Sequence, residues 1–473
     1  MSASREGLPP GSPFAEMVVT STNLLPQGVA VGDVTSRSAL LWLRTDGPMM
    51  VQFEWAPAAE WDDIVSKTKK TVASLARTPL LTTGQESDFT LAIPIEGLTP
   101  ATRYRYYVRV GTKGSEGIST EARVVARGEF MTLPDAKSQV AVTFAWSGDL
   151  GGQQRCRRGA AGYPIFDVMR AQQLDFFLFL GDTIYGDEVC ASPPNESGAD
   201  FRAMTLAEYR ARHRYQRGAE ALRRFLDSVP VYVIWDDHEV RNDFAGPFDI
   251  QMSDGREALR EYWPIRIASD DPHRLYRTVR AGADLELFIL DTRQYRSRNA
   301  DQDGSAKTML GEKQLQWLLT GLAESTATWK VIVTSVPLSI PKGGNADHPG
   351  NDGWAGGPGS PGFERERQVI VDTILDRRVK NVVFLAGDVH YVQVNAYDPN
   401  GDGTPDFHEY VAGPLSAAPG RRTLPNAGLR PTTLINEGGY MNFGLVRVTR
   451  SSFDVTIIDE AGTTRFSHHL PAK

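Results

Sequence analysis

The sequence predicts an α/β fold in two parts, a β-sandwich followed by a layered domain. Three observations carry this. From Gly28 to about Leu133 the chain is a run of short, alternating strands separated by tight turns. From Val140 onward, apolar runs alternate with helical patterns, which implies layers of helix and sheet. Several of those apolar runs then end in a carboxylate, at the sheet edge where α/β folds place their ligands.

Taken in order, residues 1–27 read as an irregular lead-in rich in Pro, Gly and Ser. As written they lack a basic segment followed by an apolar one, so no signal peptide is expected. Residues 28–133 supply the sandwich strands VAVGDV, SALLWLRT, MMVQFEWA, SDFTLAIPI, TRYRYYVRV and GEFMTL. Gly97–Val110 places a Pro-containing turn before a strand with tyrosines at every second or third position, and it resembles a fibronectin type III module. No chemical constellation appears there, so a packing or spacer role is expected. A polar link, Pro134–Ser138, leads to a second domain over residues 139–473. Helices are expected over Tyr163–Gln172, Leu206–Leu226, Gly255–Ile265, Glu312–Glu324 and Phe363–Arg378, and strands return over Gly444–Phe466. The Gly- and Pro-rich Lys342–Gly362 segment is long enough to wall an active site.

Composition excludes some classes. A net charge of −7 without a Lys/Arg block gives no nucleic-acid patch. No apolar run approaches the roughly 20 residues of a membrane span. Nothing in the sequence bears on oligomeric state. Cys156 and Cys190 read first as free loop cysteines, with a disulfide or metal ligation as alternatives. Arg155, Arg157 and Arg158 beside Cys156 would lower a thiol pKa.

The chemistry sits at the strand ends. Phe176–Leu180 runs into Gly181-Asp182, with Tyr185 three residues later. Val140–Trp146 runs into Ser147-Gly148-Asp149, and Val231–Trp235 into Asp236-Asp237-His238-Glu239. Leu285–Leu290 runs into Asp291-Thr292-Arg293, and Val382–Ala386 into Gly387-Asp388-Val389-His390. A single such Asp reads equally as a helix cap. Five at one sheet edge concentrate negative charge that needs a cation, which points to a multinuclear metal site. The oxygen-rich ligand set suits Ca²⁺, Mn²⁺, Mg²⁺, Zn²⁺ or Fe³⁺ over thiolate metals. Tyr185 is either a phenolate ligand, which favours Fe³⁺, or a packed aromatic. Two metals clamp a phosphate and activate water as the nucleophile, with Asp182 bridging them. His238, Asn242, His390 and Arg293 are the groups available to assist. Arg293 reads two ways, as a structural ion pair at the sheet edge or as a substrate contact. Trp354 either lines the entrance or covers the core. His213, His273, His348, His408, His468 and His469 lack strand-end placement and read as packing or surface residues. No G-x-S-x-G motif or paired-cysteine knuckle occurs.

One insert fits a calcium loop, with Asp398, Asn400, Asp402 and Asp406 at alternate positions, Gly403 at the sixth and Glu409 at the twelfth. No helix pair flanks it, and a polar hairpin turn explains it equally well.

In combination, GDTIY, WDDHEVRND, LDTRQYR and GDVH resemble the PhoD-like phosphatases of the metallophosphoesterase superfamily. The preceding sandwich resembles that family's N-terminal domain, so the likeness runs from Gly28 to His469. It implies a four-layer α/β/β/α core and a cluster of Fe³⁺ with Ca²⁺, with Zn²⁺, Mn²⁺ or Mg²⁺ as alternatives. It implies hydrolysis of phosphate mono- or diesters by a metal-activated hydroxide, and phospholipase D-like activity in some members. Carried over, Asp182 bridges metals, Tyr185 binds iron, Asp237 and Asn242 hold calcium, Asp388 is a further ligand, His390 is a ligand or substrate contact, and His238 contacts the phosphate or protonates the leaving group. The family pattern has a cysteine in the first strand-end motif where this chain reads Ser147-Gly148-Asp149, so Asp149 takes that ligand place and shifts the preference toward harder metals. Gly151-Gly152-Gln153 reads as a phosphate-binding turn or a plain tight turn. The likeness implies a periplasmic or secreted protein, while the visible N-terminus fits a cytoplasmic one. The rival reading is a calcium-stabilised extracellular binding protein without enzymatic activity.

Overall fold

The computed structural model describes residues 24–61, 75–114, 117–118, 123–342, 351–357 and 359–473; most of the expected lead-in, and His348, lie outside them. Two large sheets dominate. The first has nine strands in the order Thr464–Pro471, Ser452–Asp459, Asn442–Val448, Val142–Ser147, Phe176–Phe179, Val231–Val233, Val29–Gly32, Ser38–Arg44 and Thr90–Glu96. The second has seven, in the order Arg277–Ala281, Leu285–Ile289, Trp329–Val333, Val382–Ala386, Phe407–Val411, Val392–Tyr397 and Pro431–Glu437.

The central strands of both sheets run parallel and are buried on both faces, which is why they read as unbroken apolar runs. In the second sheet the side chains alternate between two cores. Leu287, Val331, Val333, Val383 and Leu385 face the nine-stranded sheet. Phe288, Ile332 and Phe384 face Leu318 and Leu322 of the Gly311–Glu324 helix and Ile370, Val371 and Ile374 of the Glu364–Asp376 helix. In the first sheet, Phe177 packs against Phe225, which also touches Phe166. Phe225 and Phe166 come from the Glu220–Leu226 and Ile165–Arg170 helices. Among the described residues no helix is long and apolar enough to cross a membrane.

The expected Leu206–Leu226 helix is instead two, Leu206–Arg217 and Glu220–Leu226. Arg157 explains the break. Its guanidinium occupies the space beside Gly218, where a Cβ would lie 2.5 Å away, and donates to the Tyr215 carbonyl at 3.0 Å. The helix expected from Gly255 to Ile265 begins earlier and ends sooner, at Met252–Tyr262. Pro264 excludes the helical conformation at Trp263, which is extended (φ −128°, ψ 143°).

The N-terminal strands are not a free-standing body. Val29–Gly32 pairs in parallel with Val231–Val233, with Gly32 opposite Val231, so three strands of the first part extend the nine-stranded sheet. A Cβ at Gly32 would lie 2.4 Å from Pro264, so this junction requires glycine. A further layer of Arg123–Met131, Arg103–Gly111, Met50–Pro57, Ala76–Arg77 and Leu81–Thr82 covers those three strands. Val31, Leu41, Leu43, Phe53, Ile93, Val108 and Phe130 fill the space between the two layers.

The Leu206–Arg217 helix inserts two basic residues beneath this junction. Arg217 lies over the Trp42 ring at 3.9 Å, and His213 stacks on Tyr262 at 5.3 Å. Burial, with Arg217 and Arg212 nearby, pushes the His213 pKa down to about 3. The unfolded chain therefore binds a proton that the folded chain refuses between pH 6.5 and about 3. Stability falls as pH falls through that window, by about 1.4 kcal/mol per unit for one such group. Replacing His213 by Phe keeps the stack and removes the titration. Urea unfolding of His213→Phe at pH 7 and pH 5 should show a stability difference about 2 kcal/mol smaller than that of the wild type.

Candidate metal centre

Four of the five expected strand ends meet. Asp149, Asp182 and the Asp236-Asp237 pair follow strands of the nine-stranded sheet, and Asp388 and His390 follow Val382–Ala386 of the other. Among the described residues, ligand atoms lie within 4.8 Å of one another in four buried or partly buried groups: Asp149, Asp182 and His390; Asp182, Asp237 and His238; Asp236, Asp237 and Asp388; and Asp237, Asp243 and Asp352. Asp182 belongs to two groups and Asp237 to three, so both are placed to bridge. The fifth strand end departs from expectation. Asp291 accepts from the Trp235 indole at 2.8 Å and from the backbone N–H groups of Arg293 and Gln294, and it caps a turn.

The backbone marks the same residues. Asp149 (φ 65°), Asp182 (51°), Asp388 (73°) and His390 (59°) are all left-handed, a conformation that costs a non-glycine residue on the order of 1–3 kcal/mol. Such strain persists where the surroundings impose it, and here it turns each side chain off its strand toward the shared centre.

The donor set fits cations. Among the described residues, buried carboxylate oxygens of Asp149, Asp236, Asp237, Asp243 and Asp388 have no hydrogen-bond partner. Burial pushes the Asp182 carboxyl well above its ordinary pKa; His238 opposes this, while Asp237, Asp236 and Glu239 add to it. Burial likewise raises Asp388, assisted by Asp236 and Asp237. An ammonium in the cluster, that of Lys342, contacts Asp388 and lies 3.9 Å from Asp237, supplying part of the positive charge the site demands.

Neighbours orient the ligands. The Nδ1 of His390 pairs with the Ala418 carbonyl at 2.7 Å, which directs Nε2 at Tyr185 Oη (3.0 Å) and Asp149 (3.4 Å). Tyr185 is fully buried and stacks on His238 with ring centres 4.1 Å apart. His238 Nδ1 bonds Asp187 at 2.7 Å, leaving Nε2 3.9 Å from Asp237. Burial opposes charge on His238, but Asp237, Asp182 and Asp187 outweigh it and hold the imidazole well above its ordinary pKa. Glu239 accepts backbone N–H groups from Asp182, Thr183 and Asp236, locking both ligand turns with one carboxylate.

Other candidates sit elsewhere. Asn242 is exposed, and its backbone N–H donates to Asp187 at 2.8 Å. Arg293 is 0% exposed, with Nε on Asp236 at 2.6 Å and its other nitrogens on Asp352 at 2.7 and 2.8 Å. That is the ion-pair geometry, and it leaves the guanidinium no path to a substrate in this conformation. Trp354 is buried, with its indole on Thr334 at 3.3 Å. Gly151 N–H donates to Ser416 and Gln153 N–H to Glu188, so these two amides of the turn are taken up by protein side chains. The Asp398 carboxylate accepts N–H groups of Gly401, Asp402 and Gly403, while Asn400 bonds Asp402 and Asp406. Glu409 leaves that loop entirely, buried against Leu338, Asn395 and Tyr397, so the loop lacks its twelfth-position ligand. The two cysteines are paired: Cys156–Cys190 ties the segment after Asp149 to the segment after Tyr185, correcting the free-thiol expectation.

Sequence reasoning passes over Asp236, Asp187, Glu239, Asp352 and Lys342 as site residues. Asp236, Asp187 and Glu239 lie inside or beside the quoted motifs, so motif membership is the usable signal. Lys342 and Asp352 lie within the Gly- and Pro-rich Lys342–Gly362 segment, and only the folded chain brings them in.

Facing strand ends from two packed sheets gather carboxylates and imidazoles, in an α/β fold, into groups with the spacing of metal ligands. The chain belongs to the PhoD-like phosphatase family: the family's sequence model matches residues 144–450, and the model of its N-terminal domain matches residues 15–134. It is 30% identical over 406 residues to alkaline phosphatase D of Bacillus subtilis (strain 168), a match that spans 77% of this chain and 64% of that relative's length. Among solved structures it superposes on one described as the structure of PhoD with a TM-score of 0.74 at 23% identity, covering 96% of this chain and 93% of the other. It also superposes on the purple acid phosphatase PPD1 from yellow lupin (Lupinus luteus) seeds with a TM-score of 0.66 at 12% identity, covering 95% and 75%.

Proposed function

We propose that the protein is a metal-dependent phosphoesterase that hydrolyses phosphate monoesters or diesters. The observation that carries this is the set of partnerless buried carboxylate oxygens around Asp182 and Asp237, in a chain of this family. Asp149, Asp182, Tyr185 and His390 would hold one cation, and Asp182, Asp237, Asn242 and Asp388 the other. Asn242 is the outlying member of that set. When bound, the metals supply Lewis-acid polarisation of the phosphate and an activated water. The family relationship favours Fe³⁺ with Ca²⁺, and Asp149, an oxygen donor in the cysteine's place, favours hard cations.

The protein's own contribution is placement. His390 is held by Ala418 to present Nε2 to the centre, and Glu239 fixes the two ligand turns. His238, anchored on Asp187, turns Nε2 toward the centre, where it can hydrogen-bond the phosphate or give a proton to the departing oxygen. The alternation of side chains between two cores supports a four-layer α/β/β/α arrangement. The two β layers over residues 28–133 support a fibronectin type III-like sandwich, here joined to the catalytic sheet. The disulfide suits an oxidising compartment, which supports export of the folded protein.

Protein purified without chelators should cleave p-nitrophenyl phosphate, bis-p-nitrophenyl phosphate or both, lose activity with EDTA, and regain it with Fe³⁺ and Ca²⁺. Failure to cleave either ester after reconstitution with each candidate metal would sink the enzyme reading.

A further inference from the structure

A cavity of about 510 Å³ opens directly beside the cluster; its lining includes His238 and Asn242. Its walls away from the centre are mixed. Met204, 60% exposed, gives apolar surface in front of the buried Tyr209 and Val240, and Arg202 and Arg241 give cations. The cavity's two acids are already engaged, Asp187 with His238 and the Asn242 N–H, and Glu188 with the Gln153 N–H. Arg241 is engaged too, paired with Asp249.

Arg202 differs. It is exposed, and no hydrogen bond or ion pair holds its guanidinium among the described residues. The backbone immediately after it is nonetheless anchored. The N–H of Ala203 donates to the Gly186 carbonyl at 2.7 Å, next to Tyr185, and the N–H of Met204 donates to Glu208 at 2.9 Å. A fork of donors on an anchored backbone, in a cavity bordering the reaction centre, is arranged to receive an anion. The cavity meets the cluster at His238, the residue placed to serve the departing oxygen. A ligand in it is therefore the leaving group of a substrate whose phosphate lies on the cluster.

We propose that Arg202 is a specificity-determining residue that binds a second anionic group, carboxylate or phosphate, on the leaving group, while Met204, Tyr209 and Val240 receive its apolar part. This rests on the phosphoesterase reading above. The preferred substrate class is then an ester whose leaving group carries both an apolar body and a negative charge.

The test compares phenyl phosphate with 4-carboxyphenyl phosphate, and their methyl diesters, on the metal-loaded full chain. The wild type should favour the carboxylated ester about tenfold in kcat/KM, the scale of one partly exposed charge-assisted hydrogen bond. In Arg202→Ala that ratio should fall to near one, through KM. Arg202→Lys should keep part of the preference, and Arg202→Glu should reverse it. Two results overturn the proposal: an active wild type that does not discriminate, or an Arg202→Ala variant that loses both esters equally. A wild type inactive on all four esters would instead overturn the phosphoesterase reading, and the subsite with it.

Discussion

Asp182→Asn should make the metal-free protein more stable and the metal-loaded protein nearly inactive. Asp182 is 1% exposed and lies within ligand distance of Asp149, Asp237, His390 and His238. Its Oδ1 accepts the His238 backbone N–H at 3.1 Å, a bond that asparagine keeps. The substitution therefore removes charge repulsion without leaving a cavity or an orphaned donor. In EDTA the thermal midpoint should rise by about 2 °C or more, the scale of roughly 1 kcal/mol in a large domain. With metal at about 100 times Kd the wild type should gain about 2.7 kcal/mol from binding, and the variant should lose that gain. Activity should fall by more than about 10²-fold, the cost of removing even a group that only supports a ligand. If Asp182 were a packing residue the order would reverse, with lower stability in EDTA and retained metal response.

Arg293→Met should destabilise the protein by about 3–5 kcal/mol, the cost of leaving a buried charge without its partner. Arg293 is held on two sides by Asp236 and Asp352, and Asp352 is also bound by Arg296 and Asn299, each at 2.8 Å. Removing the guanidinium strands Asp236, and leaves Asp352 with only Arg296 and Asn299, beside an already acidic centre. The double variant Arg293→Met/Asp236→Leu should recover part of the loss, since Asp352 keeps Arg296 and Asn299 and the carboxylate that depended on Arg293 is gone. Chemical denaturation with a double-mutant cycle reads this out. A variant of unchanged stability whose only defect is a raised KM would return Arg293 to the substrate.

The contrast between Asp182 and Arg293 shows what the sequence makes legible. A buried parallel strand must be apolar on both faces, so its end is visible as the point where the run stops and polar residues begin. Asp149, Asp182, Asp237 and Asp388 are found that way, and Tyr185 and His390 by their distance from those ends. The same rule points equally at Asp291, because strand-end position does not say which way a turn rolls. The structure rolls Asp291 into a cap on Trp235. Arg293 follows the same ambiguity: one sequence position fits an ion pair or a ligand, and only the arrival of Asp352 from 59 residues away decides it. Lys342 and the Cys156–Cys190 pair are likewise products of long-range packing. The helix break at Gly218 depends on Arg157, which local periodicity cannot show.

The most direct test of the central claim, that Asp182 bridges a cation cluster, is anomalous diffraction from crystals of the metal-loaded protein. The expected result is at least two peaks, one among Asp149, Asp182, Tyr185 and His390 and one among Asp182, Asp237 and Asp388, both lost in Asp182→Asn. A single peak away from Asp182, or peaks unchanged in the variant, would contradict it.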